Sequence, residues 1–297
     1  MTSFFAYLTE KDVEYRRDFP LSEYSTMRVG STAEAVVYPQ SVEKLISVIR
    51  YLEDNGFKYK IVGRMSNILP PDTPYSGVVI STLKLDHYCI DGNIIDVECG
   101  ALISRVILRL ARDSFGGLEP LFGIPGTVGG AVYSNAGAFG LEISDVIRSA
   151  RIYDIGCDEI RELLYDDLAL SYRKSVLSEQ HYVLLSARFA LKKGSYDAVV
   201  EKIRCIKKER NSRQPTEYPS LGSIFKKYNG VSAAYYIDNS GLRALTFGGA
   251  QISEKHAGFI INKGDATSRD VQALINRIKA IVYENYSIEL EEEIEYL

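Results

Sequence analysis

Six glycines fall within the eighteen residues from Gly123 to Gly140, in the run Gly123-Ile124-Pro125-Gly126-Thr127-Val128-Gly129-Gly130-Ala131 and on to Asn135-Ala136-Gly137-Ala138-Phe139-Gly140. A chain this bare of side chains lets successive backbone N–H groups approach an anion closely. The spacing is not the dinucleotide fingerprint, and no Lys-Ser/Thr pair follows as in a P-loop. Tight turns and phosphate binding both remain open on spacing alone. A second candidate is Gly63-Arg64-Met65-Ser66-Asn67, whose backbone and hydroxyl donors could face a ligand. A third is the acidic run Glu289, Glu291, Glu292, Glu293 and Glu295, which in most proteins would be a solvated edge.

These residues need elements to hold them. Val42, Leu45, Ile46, Ile49 and Leu52 recur at helical spacing, with Ser41 placed to cap the start and Asn55-Gly56 the end. Tyr59 to Val62 reads as a strand feeding the Gly63 loop. Ile103, Val106, Ile107, Leu110 and Ala111 predict a second helix that closes by Gly116-Gly117, and strand-like Gly77 to Leu83 and Ile94 to Cys99 lie between the two. A third helix is expected from Tyr196 to Ser212, with Val199, Ile203 and Ile206 inward and Lys202, Arg204, Lys207, Lys208 and Arg210 outward. Beyond it come strand-like Gly222 to Lys226, the stretch Ala257 to Asn262 and a helix through Val271, Leu274, Ile275, Ile278 and Val282. Ile288 to Leu297 alternates apolar and acidic residues as a half-buried strand does, setting Glu291, Glu293 and Glu295 opposite Leu290, Ile294 and Tyr296. Strands and helices mix without regular βαβα alternation, so the fold class is α+β.

Composition narrows the function classes. The chain has 297 residues, 46% apolar and 25% charged, with net charge −4. No global positive field recruits nucleic acid, so a polyphosphate ligand would require a focused basic pocket. Cys89, Cys99, Cys157 and Cys205 show no CxxC or Cys/His spacing and read as small buried hydrophobes in a reducing compartment, with no metal site. Nowhere do eighteen apolar residues follow one another, and no basic n-region precedes Phe4 to Leu8. A cytoplasmic protein without membrane or nucleic-acid partners is expected.

The glycine-rich segment closely resembles the flavin-binding signature of the UDP-N-acetylenolpyruvoylglucosamine reductase family. In order along the chain, Ser25-Thr26-Met27-Arg28-Val29-Gly30, Ser66-Asn67-Ile68-Leu69, Ser171-Tyr172-Arg173-Lys174-Ser175, Gly222-Ser223-Ile224-Phe225-Lys226, Ser253-Glu254-Lys255-His256-Ala257-Gly258-Phe259 and Leu290-Glu291-Glu292-Glu293 match it too. The length is similar to that of the shorter subtype. The resemblance implies an FAD-binding part of two α+β subdomains of the vanillyl-alcohol-oxidase (PCMH) type, taken as 1–82 and 83–196, and a substrate domain over 197–297.

The activity implied is reduction of an enolpyruvyl ether on a UDP-sugar in peptidoglycan synthesis, with noncovalent FAD as cofactor and NADPH as reductant. Hydride addition beside a carboxylate builds negative charge there, and the adjacent carbon then takes a proton. By motif match, Arg173 would face the carboxylate, Ser223 would donate the proton and Glu293 would assist. Gly63, Ser66, Asn67, Gly123, Pro125, Gly126, Thr127, Gly129, Gly130 and Asn135 would hold the flavin. Tyr172, Lys226, Lys227 and Arg243 would contact the substrate, the three cations at its diphosphate. His256 stays outside the catalytic set.

Three positions depart from the family pattern. Met65 stands where a glycine is usual; were it to need left-handed backbone, it would cost about 1–2 kcal/mol. Lys227 and Tyr235 replace residues common in related short forms. Two competing readings are a flavin oxidoreductase of the same fold acting on another small acid, which would not need Arg173, Ser223 and Glu293 together, and a non-catalytic relative, which would not take up FAD.

Overall fold

The computed structural model describes residues 1–297. The chain forms two compact units from non-contiguous segments: unit 1 comprises Met1–Arg16, Ala35–Arg64 and Gly77–Lys208, and unit 2 comprises Arg17–Glu34, Met65–Ser76 and Glu209–Leu297.

Most of two sheets falls in unit 1, over one apolar core. The first has the order Glu14–Pro20, Thr32–Tyr38, Tyr75–Ser81, Tyr59–Val62, its last two strands parallel. Against it packs the helix Val42–Asp54, whose expected apolar stripe is buried and whose Ser41 Oγ accepts from the Lys44 N–H at 3.3 Å. The second sheet is antiparallel, in the order Glu159–Leu164, Ile147–Asp154, Tyr182–Ala190, Ile94–Glu98, Tyr88–Asp91. Helix Ile103–Arg112 buries Ile103, Val106, Ile107, Leu110 and Ala111. Leu45, Ile80, Val97, Ile107 and Leu185 belong to the same core cluster, so both sheets share one interior. Each fully buried aliphatic side chain there contributes about 1.5–3 kcal/mol.

Unit 2 is built on an antiparallel sheet, Ser220–Ser223, Phe259–Asn262, Ala250–Ile252, Thr246–Phe247. Helix Ser268–Tyr286 covers it with Val271, Leu274, Ile275, Ile278 and Val282 buried. Its start is fixed reciprocally: Thr267 Oγ1 accepts from the Asp270 N–H at 3.1 Å, and Asp270 Oδ2 accepts from the Thr267 N–H at 2.9 Å. No helix of the chain is long and apolar enough to cross a membrane.

Three expectations are corrected. Ile288 to Leu297 is not one half-buried strand: only Glu295–Tyr296 is regular, and Tyr296, expected inward, is 43% exposed. The tail pairs first antiparallel with Phe225 through Glu292 and then parallel with Ile68–Leu69; Leu290 and Ile294 are buried as expected, 3% and 5% exposed, and the departure is at Tyr296. Arg210, expected outward, is buried, its Nη1 donating to Gln214 Oε1 at 3.0 Å. Of the cysteines only Cys99 is buried; Cys89, Cys157 and Cys205 are exposed, on an outermost strand, in a hairpin turn and on the solvent side of helix Tyr196–Arg213.

Candidate functional site

In unit 1 the site begins where strand Tyr59–Val62 ends. A Cβ on Gly63 would lie 2.3 Å from Thr127 Oγ1, so only glycine lets the strand end meet the glycine-rich loop. That loop is anchored on the stretch after strand Ile94–Glu98. Gly123 N–H donates to Ser104 Oγ at 3.0 Å, Val128 N–H to the Ala101 carbonyl at 2.9 Å and Gly129 N–H to the Cys99 carbonyl at 2.7 Å. Thr127 caps the short helix Val128–Tyr133, its Oγ1 accepting from the Gly130 N–H at 3.3 Å. The consecutive N–H groups of Gly126 and Thr127 donate to nothing within the chain. Two adjacent uncommitted donors beside Gly63 and the exposed Pro125 form a backbone cradle whose chemistry fits a pyrophosphate, and so fits FAD.

The Arg173 segment lies against the far end of the same loop. Ser171 and Lys174 close a tight turn by two reciprocal backbone hydrogen bonds of 3.1 Å, and Arg173 within it is left-handed, φ +57°. Its guanidinium carbon lies 5.0 Å from the centre of the Tyr172 ring. Asn135, buried and also left-handed at φ +42°, holds this turn through the Ser171 carbonyl at 3.0 Å.

The chain returns to unit 2 at Met65, which is left-handed, φ +49°, and 2% exposed. Half-buried Ser66 follows. Asn67 Nδ2 donates to the Glu293 carbonyl at 2.8 Å, and the Asn67 carbonyl accepts from the Glu295 N–H at 2.8 Å. On the other side of the tail, Glu293 N–H donates to the Ile224 carbonyl at 2.7 Å and Lys226 N–H to the Glu291 carbonyl at 2.9 Å. Glu293 therefore sits beside Ile224, one residue past Ser223. Ser223 ends its strand, following Gly222 at φ +79° and paired with Phe259.

The cations assigned to a diphosphate have partners that sequence reasoning missed. Lys226 Nζ contacts Glu291 Oε1 at 2.5 Å. Arg243 grips both carboxylate oxygens of Asp238, with Nη2 to Oδ2 at 2.7 Å, and also donates to the Glu254 carbonyl. Lys227 is exposed. The partners sit five and sixty-five residues away, and only the first spacing was visible locally. Glu292 is likewise committed, accepting from Lys279 Nζ at 2.8 Å and Tyr296 Oη at 2.5 Å. Burial opposes its ionisation, but those two hydrogen bonds outweigh burial and hold its carboxyl below the ordinary range.

Comparison with known proteins places this geometry. Residues 214–297 match the family model for the UDP-N-acetylenolpyruvoylglucosamine reductase C-terminal domain, and residues 33–162 that for an FAD binding domain. A UDP-N-acetylenolpyruvoylglucosamine reductase of Caldicellulosiruptor bescii is 43% identical over 98% of this chain and 93% of its own length. One from Clostridium perfringens is 39% identical over 97% and 94%. The crystal structure of the Thermus caldophilus reductase superposes with a TM-score of 0.80 at 30% identity, covering 96% of this chain and 98% of that one. A berberine bridge enzyme variant, 16% identical with a TM-score of 0.50 over 65% of this chain and 44% of its own, shares the fold.

Proposed function

The chain belongs to the UDP-N-acetylenolpyruvoylglucosamine reductase family, and from that we infer that it reduces the enolpyruvyl ether of UDP-N-acetylglucosamine enolpyruvate to UDP-N-acetylmuramate, a step of peptidoglycan synthesis. The observation that carries this reading is likeness along nearly the whole chain, 43% identity over 98% of it and 93% of the relative. FAD, when bound, supplies the hydride that NADPH provides. Free cysteines and NADPH use both fit a reducing cytoplasm.

The chain's own residues supply binding, charge and the proton. Gly63, Ser66, Asn67, Gly123, Pro125, Gly126, Thr127, Gly129 and Gly130 hold the cofactor, with Gly126 and Thr127 as the loop's uncommitted backbone donors. Arg173 answers the negative charge that builds on the substrate carboxylate, a task for a guanidinium that never deprotonates. Ser223 donates the proton to the neighbouring carbon and Glu293 assists it; the pairing of Glu293 with Ile224 supports assigning the two to one place. A hydroxyl is a weak acid, so it serves only when held in line with a strongly basic carbon. Tyr172 flanks Arg173 at the substrate, while Lys226, Lys227 and Arg243 take the diphosphate. For Lys226 and Arg243 this means exchanging a carboxylate partner for a phosphate one.

The test is direct. Purified protein loaded with FAD should consume NADPH beyond the one equivalent that reduces the flavin only when the enolpyruvyl UDP-sugar is added, and the product should be the substrate plus two hydrogens by mass. NADPH consumption that ignores this substrate, or protein that cannot take up FAD, would sink the reading.

A further inference from the structure

Asn135 stands in the glycine-rich segment, yet its side chain is turned away from the cofactor's chemistry. It is 1% exposed, and its Nδ2 spends both donors inside the chain, on the Ser171 carbonyl at 3.0 Å and on Glu142 Oε2 at 3.1 Å. Its Oδ1 accepts from the Ser144 N–H at 2.9 Å, and its own N–H goes to the Val132 carbonyl at 3.2 Å. An amide has two N–H donors, so none is left for a ligand.

What it holds is the turn that carries Arg173. That turn is strained: a left-handed arginine, φ +57°, occupies a conformation costing about 1–2 kcal/mol for an L-residue. A four-residue turn closed only on itself would relax. It is instead tied at both ends to the loop at 133–135. Asn135 takes the Ser171 carbonyl, and Ser175, 1% exposed, donates from Oγ to the Tyr133 carbonyl at 2.7 Å.

We propose that Asn135, with Ser175, is a positioning residue that fixes the Arg173 guanidinium relative to the flavin loop, and is not a ligand of the flavin. The proposal rests on the reading that Arg173 meets the substrate carboxylate. The same loop then presents the cofactor through its backbone and sets the guanidinium through one side chain, so cofactor and substrate charge are aligned by a single stretch of chain. Displacing such a group by an ångström is enough to cost about 10²-fold in rate.

The experiment compares Asn135→Ala, Ser175→Ala, Arg173→Ala and the double variant Asn135→Ala/Arg173→Ala. For each it measures FAD affinity by fluorescence quenching, flavin reduction by NADPH and flavin reoxidation by UDP-N-acetylglucosamine enolpyruvate. Asn135→Ala and Ser175→Ala should each bind FAD within about threefold of wild type and reduce within about twofold, while reoxidation falls about 10- to 100-fold. The double variant should reoxidise no more slowly than Arg173→Ala alone, because both changes remove the same interaction. FAD binding weakened tenfold or more, with reoxidation of the loaded enzyme unchanged, would make Asn135 a cofactor residue and overturn the proposal. So would a slow Arg173→Ala beside wild-type rates in the other two single variants. A wild-type rate in Arg173→Ala would overturn instead the reading beneath, and needs no Asn135 variant to see. If Asn135→Ala does not fold, Ser175→Ala carries the same comparison alone.

Discussion

Met65 is the residue where two physical effects compete most plainly. Its left-handed backbone costs about 1–2 kcal/mol relative to glycine, but burying a methionine and then truncating it costs about 2–5 kcal/mol. Burial wins. Met65→Gly is therefore expected to destabilise the apo protein by about 1–3 kcal/mol in urea unfolding, and an unchanged or raised midpoint would mean that the strain dominates. The proton-donor role proposed for Ser223 makes a kinetic prediction: Ser223→Ala should leave flavin reduction by NADPH intact while slowing reoxidation by substrate ~10²–10⁴-fold. Glu293→Gln should move the same way and exposed Glu289→Gln should not; equal behaviour of the two glutamates in stopped flow would misplace the site. His256 tests linkage. Burial holds its imidazole below the ordinary range and the Arg243 charge adds to this, while Nδ1 accepts from the Gly258 N–H at 3.2 Å. The unfolded chain, near 6.5, thus takes up the proton first as pH falls. Stability from the neutral ring is complete above about 6.5 and drains away on descent toward the folded value. Wild type should lose stability more steeply than His256→Gln between about pH 7 and 5.5, and parallel slopes would remove His256 from the account.

At the scale of elements, caps and periodicity carried the reading furthest. Ser41→Ala should cost about 1 kcal/mol of stability without altering FAD affinity, since what it removes is local, the bond from the Lys44 N–H and the contact with the Glu43 carboxylate; a loss below a few tenths would mean water replaces the cap. Helices Val42–Asp54, Ile103–Arg112 and Ser268–Tyr286 were legible because each keeps one apolar stripe against one neighbour. The C-terminal stretch was legible in part: Leu290 and Ile294 are buried as read, but the neighbour changes between Glu292 and Glu295, and alternation in sequence cannot announce a change of partner. Arg210 was misjudged for a related reason: a basic residue late in a helix reads as solvated unless one knows what packs there. The glycine-rich loop was legible as bare backbone, with tight turns and phosphate binding both left open, whereas its supports at Cys99, Ala101 and Ser104 were not legible, being ordinary residues made important by backbone contact.

For the whole molecule, the likeness to the Thermus caldophilus reductase fixes the fold, and the family fixes the class of chemistry. Which segments make one compact unit was beyond sequence patterning, since unit 2 gathers Arg17–Glu34 and Met65–Ser76 with Glu209–Leu297. The FAD should be held noncovalently, because no histidine or cysteine lies in Gly63–Asn67 or Gly123–Gly140 to form a flavin link. Acid precipitation of the yellow holoprotein should leave the colour in the supernatant, and a yellow pellet would contradict this. The bond from Asn67 to the Glu293 carbonyl, 226 residues apart, also sets a schedule for synthesis. At ribosomal speeds of about 5–20 residues per second, the Met65–Ser76 segment waits about 11–45 s for its partner to emerge. Throughout that interval Leu69 lacks the C-terminal side chains of its apolar cluster, Leu274 and Leu290 among them. The yield of folded protein in a cell should therefore depend on translation rate and chaperone supply as much as on the stability of the finished molecule.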